Sequence, residues 1–293
     1  MSGRPVHVAV ALNWARAQLE SAGLGSATAE ARTLLAHAAK VDPAQLALLT
    51  SLDPVVAAHF SDLVERRATG VPVQHLTGVA HFRTVEVQVG PGVFIPRPET
   101  EVMTGWALEA VAALDAPVVV ELCAGSGAIA KAVAAEASHA IVHAVELDPT
   151  AAEYARRNLL GTGVDLRVGD MADAFHDLDG SVDLVIANPP YIPLEAWESV
   201  EAQVRDHDPD LALFSGQDGL DAMHVVAGVA ARLLRPGGLV CAEHAEVQHG
   251  AVEQVFVDRG CFSGVRDHRD LTRRWRFVTA VRAAGQAERA AQD

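Results

Sequence analysis

The chain has 293 residues, enough for one large domain and a smaller one. Half of the residues are hydrophobic, but no apolar run approaches the ~18 residues of a membrane span, and the N-terminus lacks the apolar core of a secretory signal. The formal net charge is −15, without the basic stripe typical of nucleic-acid-binding proteins, which disfavours that class. Three widely spaced cysteines indicate reduced thiols, so we expect a cytoplasmic protein.

The first 75 residues predict a small helical domain. Apolar residues recur with helical spacing from Val8 to Ala22, and a second helix is predicted to end at Ala39. Asp42-Pro43 and Asp53-Pro54 each combine an acidic N-cap with proline at the first helical position. Nothing in this region indicates chemistry, so we expect a domain that packs or docks.

A β-hairpin is predicted within residues 76–96, between this domain and the next. Residues 84–89 alternate between apolar and polar, as a half-buried strand does. Gly-Pro-Gly at 90–92 predicts a turn, and 93–95 would form the second strand. A helix is predicted to follow, over about 99–114.

Strands and helices alternate in residues 97–283, which predicts a parallel sheet covered by helices on both faces. The predicted strands are 118–122, 141–145, 165–168, 182–187 and 239–243, and a hairpin of 263–267 and 276–281 closes the sheet. Residues 284–293 are polar and alanine-rich, and we expect them to fray. Ligands of such sheets bind at the carboxyl ends of the strands, so residues that follow strands are the candidates for chemistry.

Four successive strands end at candidate binding residues. Gly125-Ser126-Gly127 follows the first strand and lets a ligand approach the backbone closely. Glu146 is placed to accept hydrogen bonds from both hydroxyls of a ribose, while Asp170 and Met171 could meet an adenine. Together these residues predict a nucleoside pocket. The same glycine pattern and acid spacing fit NAD as well as S-adenosylmethionine, so this half of the site leaves the cofactor open.

The motif Asn188-Pro189-Pro190-Tyr191, after the fourth strand, indicates which of the two cofactors the site uses. A dehydrogenase needs a group that moves a proton, and an unperturbed tyrosine, with a pKa of about 10, is a poor one. The motif instead suits N-methylation, because the Asn188 side-chain oxygen and the Pro189 carbonyl can accept both N–H bonds of a planar nitrogen. They would orient that nitrogen toward a sulfonium methyl group and stabilise its developing charge. The Tyr191 ring would lie against the planar group.

With these motifs the chain resembles the class I S-adenosylmethionine-dependent methyltransferases, and among them the HemK/PrmC family of peptide chain release factor N5-glutamine methyltransferases. The resemblance covers nearly the whole chain. It rests on Pro72–Gly78, Phe94–Glu101 with the PRPET signature, Glu121–Gly127, Asn188–Tyr191 and Phe214–Asp221. Spacing alone favours a proline-rich linker over Phe94–Glu101, but the resemblance makes this segment part of the site.

The resemblance implies a Rossmann-like class I α/β sheet with an N-terminal helical domain and a linking β-hairpin. The expected limits are 1–75 for the substrate-docking helical domain, 76–96 for the hairpin, 97–283 for the methyltransferase domain and 284–293 for the tail. The implied substrate is the glutamine of the Gly-Gly-Gln motif in peptide chain release factors, without nucleic acid or membrane as partner. Amino-methylation of DNA or RNA bases, or of another protein glutamine, is the alternative.

The resemblance also implies the site residues, with S-adenosylmethionine as cofactor, S-adenosylhomocysteine as product and no metal. The implied catalytic residues are Asn188, Pro189, Pro190 and Tyr191. The implied cofactor-binding residues are Glu121, Cys123, Ala124, Gly125, Ser126, Gly127, Glu146, Asp170, Met171 and Asn188. Phe94, Arg97, Glu99 and Thr100 are expected beside substrate or cofactor. Cys123 stands where the family's loop has its first glycine, and we expect its φ to be negative, so that cofactor contact is altered rather than lost.

Overall fold

The computed structural model describes residues 6–199 and 207–284. Their contacts divide them into two units, 6–79 with His207, and 80–199 with 208–284. The domain limits expected from the sequence remain predictions, and the tail expected to fray lies, apart from Ala284, outside the described residues. Within 6–199 and 207–284, no helix is long and apolar enough to cross a membrane.

The smaller unit is helical, as the periodicity predicts. Its elements are β1 (Val6–His7), α1 (Val8–Ser21), α2 (Ala27–Ala39), a 3₁₀ helix (Pro43–Leu48), β2 (Ser51–Leu52), α3 (Pro54–Ala68) and α4 (Val73–Thr77). The predicted N-cap of α3 is confirmed, because the Asp53 carboxylate accepts from the N–H groups of Val55 and Val56 at 2.9 and 3.0 Å. Phe60 and Leu63 lie in the core of this unit, at most 2% exposed.

The hairpin forms one segment earlier than the sequence predicts. Its strands are β3 (Val79–Phe82) and β4 (Val85–Gln88), joined at Arg83, which has a φ of 51°. Residues 93–95 belong to no strand, so the predicted pairing of 84–89 with 93–95 is wrong. The reason is a side chain. Asn158 accepts from the Gln88 N–H at 2.7 Å and donates to the Gln88 carbonyl at 2.9 Å. These are backbone groups that would otherwise form hydrogen bonds with a second strand.

The larger unit is built on a seven-stranded sheet in the order β10-β11-β9-β8-β5-β6-β7. The strands are β5 (Val118–Leu122), β6 (Ile141–Glu146), β7 (Asp165–Val168), β8 (Val182–Ala187), β9 (Leu234–Glu243), β10 (Phe262–Arg269) and β11 (Trp275–Arg282). β11 runs antiparallel to β10 and β9, which lie on its two sides, and the other neighbouring strands pair in parallel. The helices are α5 (Pro98–Val111), α6 (Ala128–Glu136), α7 (Pro149–Leu159), α8 (Asp210–Leu213), α9 (Asp221–Leu233) and α10 (Ala251–Asp258). This confirms the expected Rossmann-like class I sheet and its closing hairpin.

Helices cover both faces of the sheet. Leu184 and Ile186 of β8 pack into the cluster that contains the buried side chains of α5, α6 and α7. Val185, between them, packs into the cluster with α9 and α10. This alternation follows from the two-residue period of a strand. Neighbouring β5 and β8 are the strands at which the chain order reverses, where ligands of such sheets bind.

Candidate functional site

The predicted site residues gather at one edge of the sheet. In the strand register, Ala187 of β8 lies opposite Leu122 of β5 on one side and Ala242 of β9 on the other. Cys123, Asn188 and Glu243 therefore leave three adjacent strands at the same level. The alignment was expected for the first two residues, whereas Glu243 was not among the predicted site residues.

The loop after β5 approaches its neighbours through glycine. Gly125 has a φ of 55°, and a Cβ added there would meet no atom of the described residues within 4 Å. Gly127 has a φ of 77°, and its Cβ would lie 3.1 Å from Leu159 Cγ, so this glycine allows close packing of α7. Ser126 is buried, and its carbonyl accepts from Asn158 Nδ2 at 2.9 Å. The inner side of the loop is thus held by packing and a hydrogen bond, whereas space remains beside Gly125.

Cys123 departs from the expectation of a negative φ, which is wrong: its φ is 60°. The turn that leads from β5 into the glycine loop uses the left-handed conformation here, although a side chain is present. Cys123 Sγ lies 3.5 Å from Met171 Sδ, which brings two predicted cofactor residues together. Burial, with the nearby carboxylates of Glu146 and Glu121, raises the pKa of the thiol. Cys123 is therefore an uncharged thiol and a poor nucleophile.

Glu121 lies behind the loop. It is 1% exposed, and its Oε2 accepts from the N–H of Ala130 in α6 at 2.8 Å. Burial raises its pKa well above the usual value of a glutamate. Ala124 is also buried and donates its N–H to the Val145 carbonyl at 3.0 Å. Both residues thus support the loop from within the protein.

Glu146 ends β6 with its carboxylate turned to the glycine loop. Its Oε2 accepts from the Gly125 N–H at 2.6 Å, and its Oε1 accepts from the Asp148 N–H at 2.8 Å. Burial raises the pKa of Glu146, against the opposing effect of these hydrogen bonds. A carboxylate offers about four lone-pair sites, so Glu146 can accept from a ligand in addition to these backbone groups. Asp170 is exposed, and its Oδ1 caps the following turn by accepting from Ala172 N–H at 2.9 Å.

Asn188 belongs to a chain of side-chain hydrogen bonds. Its Nδ2 lies 3.3 Å from Thr100 Oγ1, and Thr100 Oγ1 lies 2.7 Å from Glu243 Oε2. The other oxygen of Glu243 accepts from the Tyr191 hydroxyl at 3.3 Å. Burial raises the pKa of Glu243, although Thr100 and Arg276 oppose the shift. Burial and the charge of Glu243 raise the pKa of Tyr191, so Tyr191 is no base.

The turn at Pro189 and Pro190, where the chain leaves β8, is stabilised by contacts to the Tyr191 carbonyl. Pro189 is buried and Pro190 partly so. The Tyr191 carbonyl accepts from Gln248 Nε2 at 2.9 Å. A Cβ at Gly219 would lie 2.3 Å from the same carbonyl oxygen, so only glycine fits there. Gly219 lies in the Phe214–Asp221 segment, whose role is therefore to brace the motif.

The Phe94–Glu101 segment leads into α5 and supplies Thr100. The Arg97 guanidinium lies 5.0 Å from the centre of the Phe94 ring, and its Nη2 lies 2.5 Å from Asp208 Oδ2. Arg97 thus fixes the approach to the helix. Glu99, partly exposed, precedes Thr100 in the first turn of α5.

Sequence reasoning missed Glu243 and Gln248. A signal was available for Glu243, because it is the last residue of a predicted strand and such ends were the stated candidates. Gln248 gave none, because its contact with Tyr191 joins residues 57 positions apart.

Comparison with known proteins matches both parts of the chain. The PrmC N-terminal domain family matches residues 10–78, and the methyltransferase small domain family matches residues 85–204. A relative from Streptomyces coelicolor, named release factor glutamine methyltransferase, is 50% identical over 91% of this chain and 95% of its own length. One of the same name from Mycolicibacterium smegmatis is 44% identical over 94% and 97%.

A further relative has another name. The 4-amino-L-phenylalanine/4-methylamino-L-phenylalanine methyltransferase of Streptomyces pristinaespiralis is 40% identical over 89% of this chain and 96% of its own length. The relatives from Streptomyces coelicolor and Mycolicibacterium smegmatis are more similar and span nearly the whole chain, and the family matches agree with the motifs. The chain therefore belongs to the release factor glutamine methyltransferase family, as its sequence motifs predicted.

Proposed function

We propose that this protein transfers a methyl group from S-adenosylmethionine to the side-chain amide nitrogen (N5) of the glutamine in the Gly-Gly-Gln motif of peptide chain release factors. The observation that carries the proposal is the position of Asn188 beside the glycine loop, at the ends of neighbouring strands β8 and β5. An amide held at Asn188 would face a methyl group held at that loop.

The residues of the loop fit S-adenosylmethionine. A Cβ at Gly125 would enter open space, so a ligand can approach the backbone there. Glu146 would hold the ribose hydroxyls with the lone pairs that its backbone contacts leave available. Met171 and Asp170 would meet the adenine. When bound, S-adenosylmethionine supplies an electrophilic methyl group on a sulfonium centre.

The acceptors of the motif orient the glutamine amide. The Asn188 side-chain oxygen and the Pro189 carbonyl accept its two N–H bonds, and the Tyr191 ring lies against its plane. The nitrogen lone pair would form the new bond to the methyl carbon that S-adenosylmethionine supplies, and the electron pair of the carbon–sulfur bond would leave with sulfur. One amide proton would then pass to water, and S-adenosylhomocysteine would be the product. The two acceptors stabilise the charge that develops on nitrogen, so no strong base is required.

The described residues of the helical unit include none that point to chemistry, and we assign this unit the contact with the rest of the release factor. This agrees with the match of residues 10–78 to the PrmC N-terminal domain. A second unit gives a protein substrate more surface than a short peptide can use.

The test is methyl transfer from labelled S-adenosylmethionine to recombinant release factors, with DNA and RNA in parallel. We expect label in the release factor, located by mass spectrometry on the glutamine of Gly-Gly-Gln. A release factor with that glutamine replaced by asparagine is the matched control and should take no label there. Label in nucleic acid, with none in the release factor, would refute the proposal.

One observation favours a second candidate, the methylation of a small aromatic amine. The 40% identical relative from Streptomyces pristinaespiralis is named for methylation of 4-amino-L-phenylalanine. An aromatic amine is also a planar nitrogen with two N–H bonds, so the same acceptors would serve it. Including 4-amino-L-phenylalanine in the assay separates the two candidates, since we expect far higher kcat/KM for the release factor.

A further inference from the structure

The hydrogen-bond chain behind Asn188 has a defined direction. The Thr100 hydroxyl donates to Glu243 Oε2, and the Tyr191 hydroxyl donates to Glu243 Oε1. The single hydroxyl proton of Thr100 is used in the 2.7 Å hydrogen bond to Glu243. The 3.3 Å contact between Asn188 and Thr100 can then form only if Asn188 donates through Nδ2.

This direction decides which end of the Asn188 amide faces the acceptor nitrogen. The oxygen and nitrogen of an amide are nearly equal in size, so shape does not distinguish the two orientations. If the amide were reversed, its oxygen would face the lone pairs of Thr100, and two acceptors would oppose each other. Glu243 therefore keeps Oδ1 of Asn188 available. It also strengthens Oδ1 as an acceptor, because hydrogen bonds in a chain polarise one another.

We propose that Glu243 is a positioning residue for methyl transfer, which acts through Thr100 to hold the Asn188 amide with its oxygen toward the acceptor nitrogen and through Tyr191 to fix the ring. The inference rests on the proposed function. Glu243 acts through Thr100 and Tyr191, because its carboxyl oxygens accept hydrogen bonds from their hydroxyl groups.

The burial of Glu243 supports a role beyond packing. Glu243 is 1% exposed, and a carboxyl group in such a place opposes folding unless its oxygens are hydrogen-bonded. Its hydrogen-bond partners are two residues of the candidate site, Thr100 and Tyr191. The charged groups that act on it are Arg276 of β11, which favours the ionised form, and Glu99 of α5, which opposes it.

The test compares Thr100→Val with a matched control. Thr100→Val keeps the shape of the side chain but removes the hydroxyl. Thr104→Val makes the same change one turn later in α5, where the hydroxyl donates to the Thr100 carbonyl at 2.9 Å. For Thr100→Val we expect kcat on the release factor to fall about 10- to 100-fold, as displaced reacting groups can cause. Affinity for S-adenosylmethionine, measured by calorimetry, should change less than about twofold.

Two further variants separate positioning from stability. Thr100→Ser keeps the hydroxyl and should recover most of the turnover that Thr100→Val loses. Glu243→Gln can accept from only one of the two hydroxyls through its oxygen, so kcat should fall while cofactor affinity holds. Thr104→Val should keep native kcat. If Thr100→Val lowers the melting temperature but leaves kcat of the folded protein unchanged, the positioning role is wrong.

An additional measurement does not depend on the substrate. The sequence has three asparagines, Asn13, Asn158 and Asn188, so ¹⁵N-asparagine labelling gives three side-chain amide signals. Asn188→Ala assigns the relevant one. Its hydrogens should exchange slowly with water in the native protein and in Thr100→Ser, and rapidly in Thr100→Val. Equal exchange in all three would overturn the inference even if another substrate replaces the release factor. Failure of the native protein to label release factors would instead overturn the proposed function.

Discussion

Replacing Cys123 tests the left-handed backbone at the start of the cofactor loop. An L-residue with a side chain in this conformation costs about 1–2 kcal/mol, and glycine removes that strain. Glycine also increases the conformational entropy of the unfolded chain, which lowers the stability of the protein by about 0.4–1 kcal/mol relative to alanine. Comparing Cys123→Gly with Cys123→Ala isolates the backbone term, because both variants lose the contact between Cys123 Sγ and Met171 Sδ. We expect the glycine variant to be more stable by about 0.5–1 kcal/mol.

The difference corresponds to a melting temperature about 1–4 °C higher for Cys123→Gly than for Cys123→Ala, measured by scanning calorimetry. Ala124→Gly is the matched control, because the neighbouring residue is buried and is not among those with positive φ. There, glycine relieves no strain and should destabilise the protein by about 0.5–1 kcal/mol. Opposite signs at adjacent positions are thus the expected result. If Cys123→Ala equals or exceeds Cys123→Gly in stability, the left-handed conformation does not carry the strain assigned to it.

Three further predictions concern the candidate site. Asn188→Ala should lower turnover about 10²-fold or more with little change in cofactor affinity, because it removes an acceptor needed in the transition state; near-native turnover would show that the amide binds elsewhere. Glu146→Ala should weaken S-adenosylmethionine binding by about 1.5–3 kcal/mol in calorimetry. Since burial raises the pKa of Glu146, native affinity should decline with falling pH earlier than for an exposed glutamate, and an unchanged affinity in the variant would refute the ribose contact. Burial also raises the pKa of Glu121, so its contribution to stability is complete below about pH 4.3 and is lost as pH rises through the folded-state pKa. Glu121→Gln does not titrate, so its free energy of unfolding should rise relative to the native protein as pH increases, and parallel pH curves would contradict this account.

Much of the fold followed from local sequence signals. Strands β5, β7 and β8 have the predicted bounds, because a run of apolar residues is a property of neighbouring residues. The cap at Asp53 was predictable for the same reason, since its bonds reach only two and three residues ahead. The motif at Asn188 could be read from the sequence, because its four residues are adjacent in the chain.

The contacts between distant residues were decided by the tertiary structure. Gln88 meets Asn158, 70 residues later, and this contact displaced the predicted second strand of the hairpin. Asn188 and Thr100 are 88 residues apart, and Thr100 and Glu243 are 143 apart. Periodicity and propensity describe how a segment folds along its own length, and they carry no information about which side chain another segment brings to it. The sequence by itself determined which residues stand at the carboxyl ends of the strands. Only the packing of α5 against the ends of β8 and β9 determined that Glu243, through Thr100, orients Asn188.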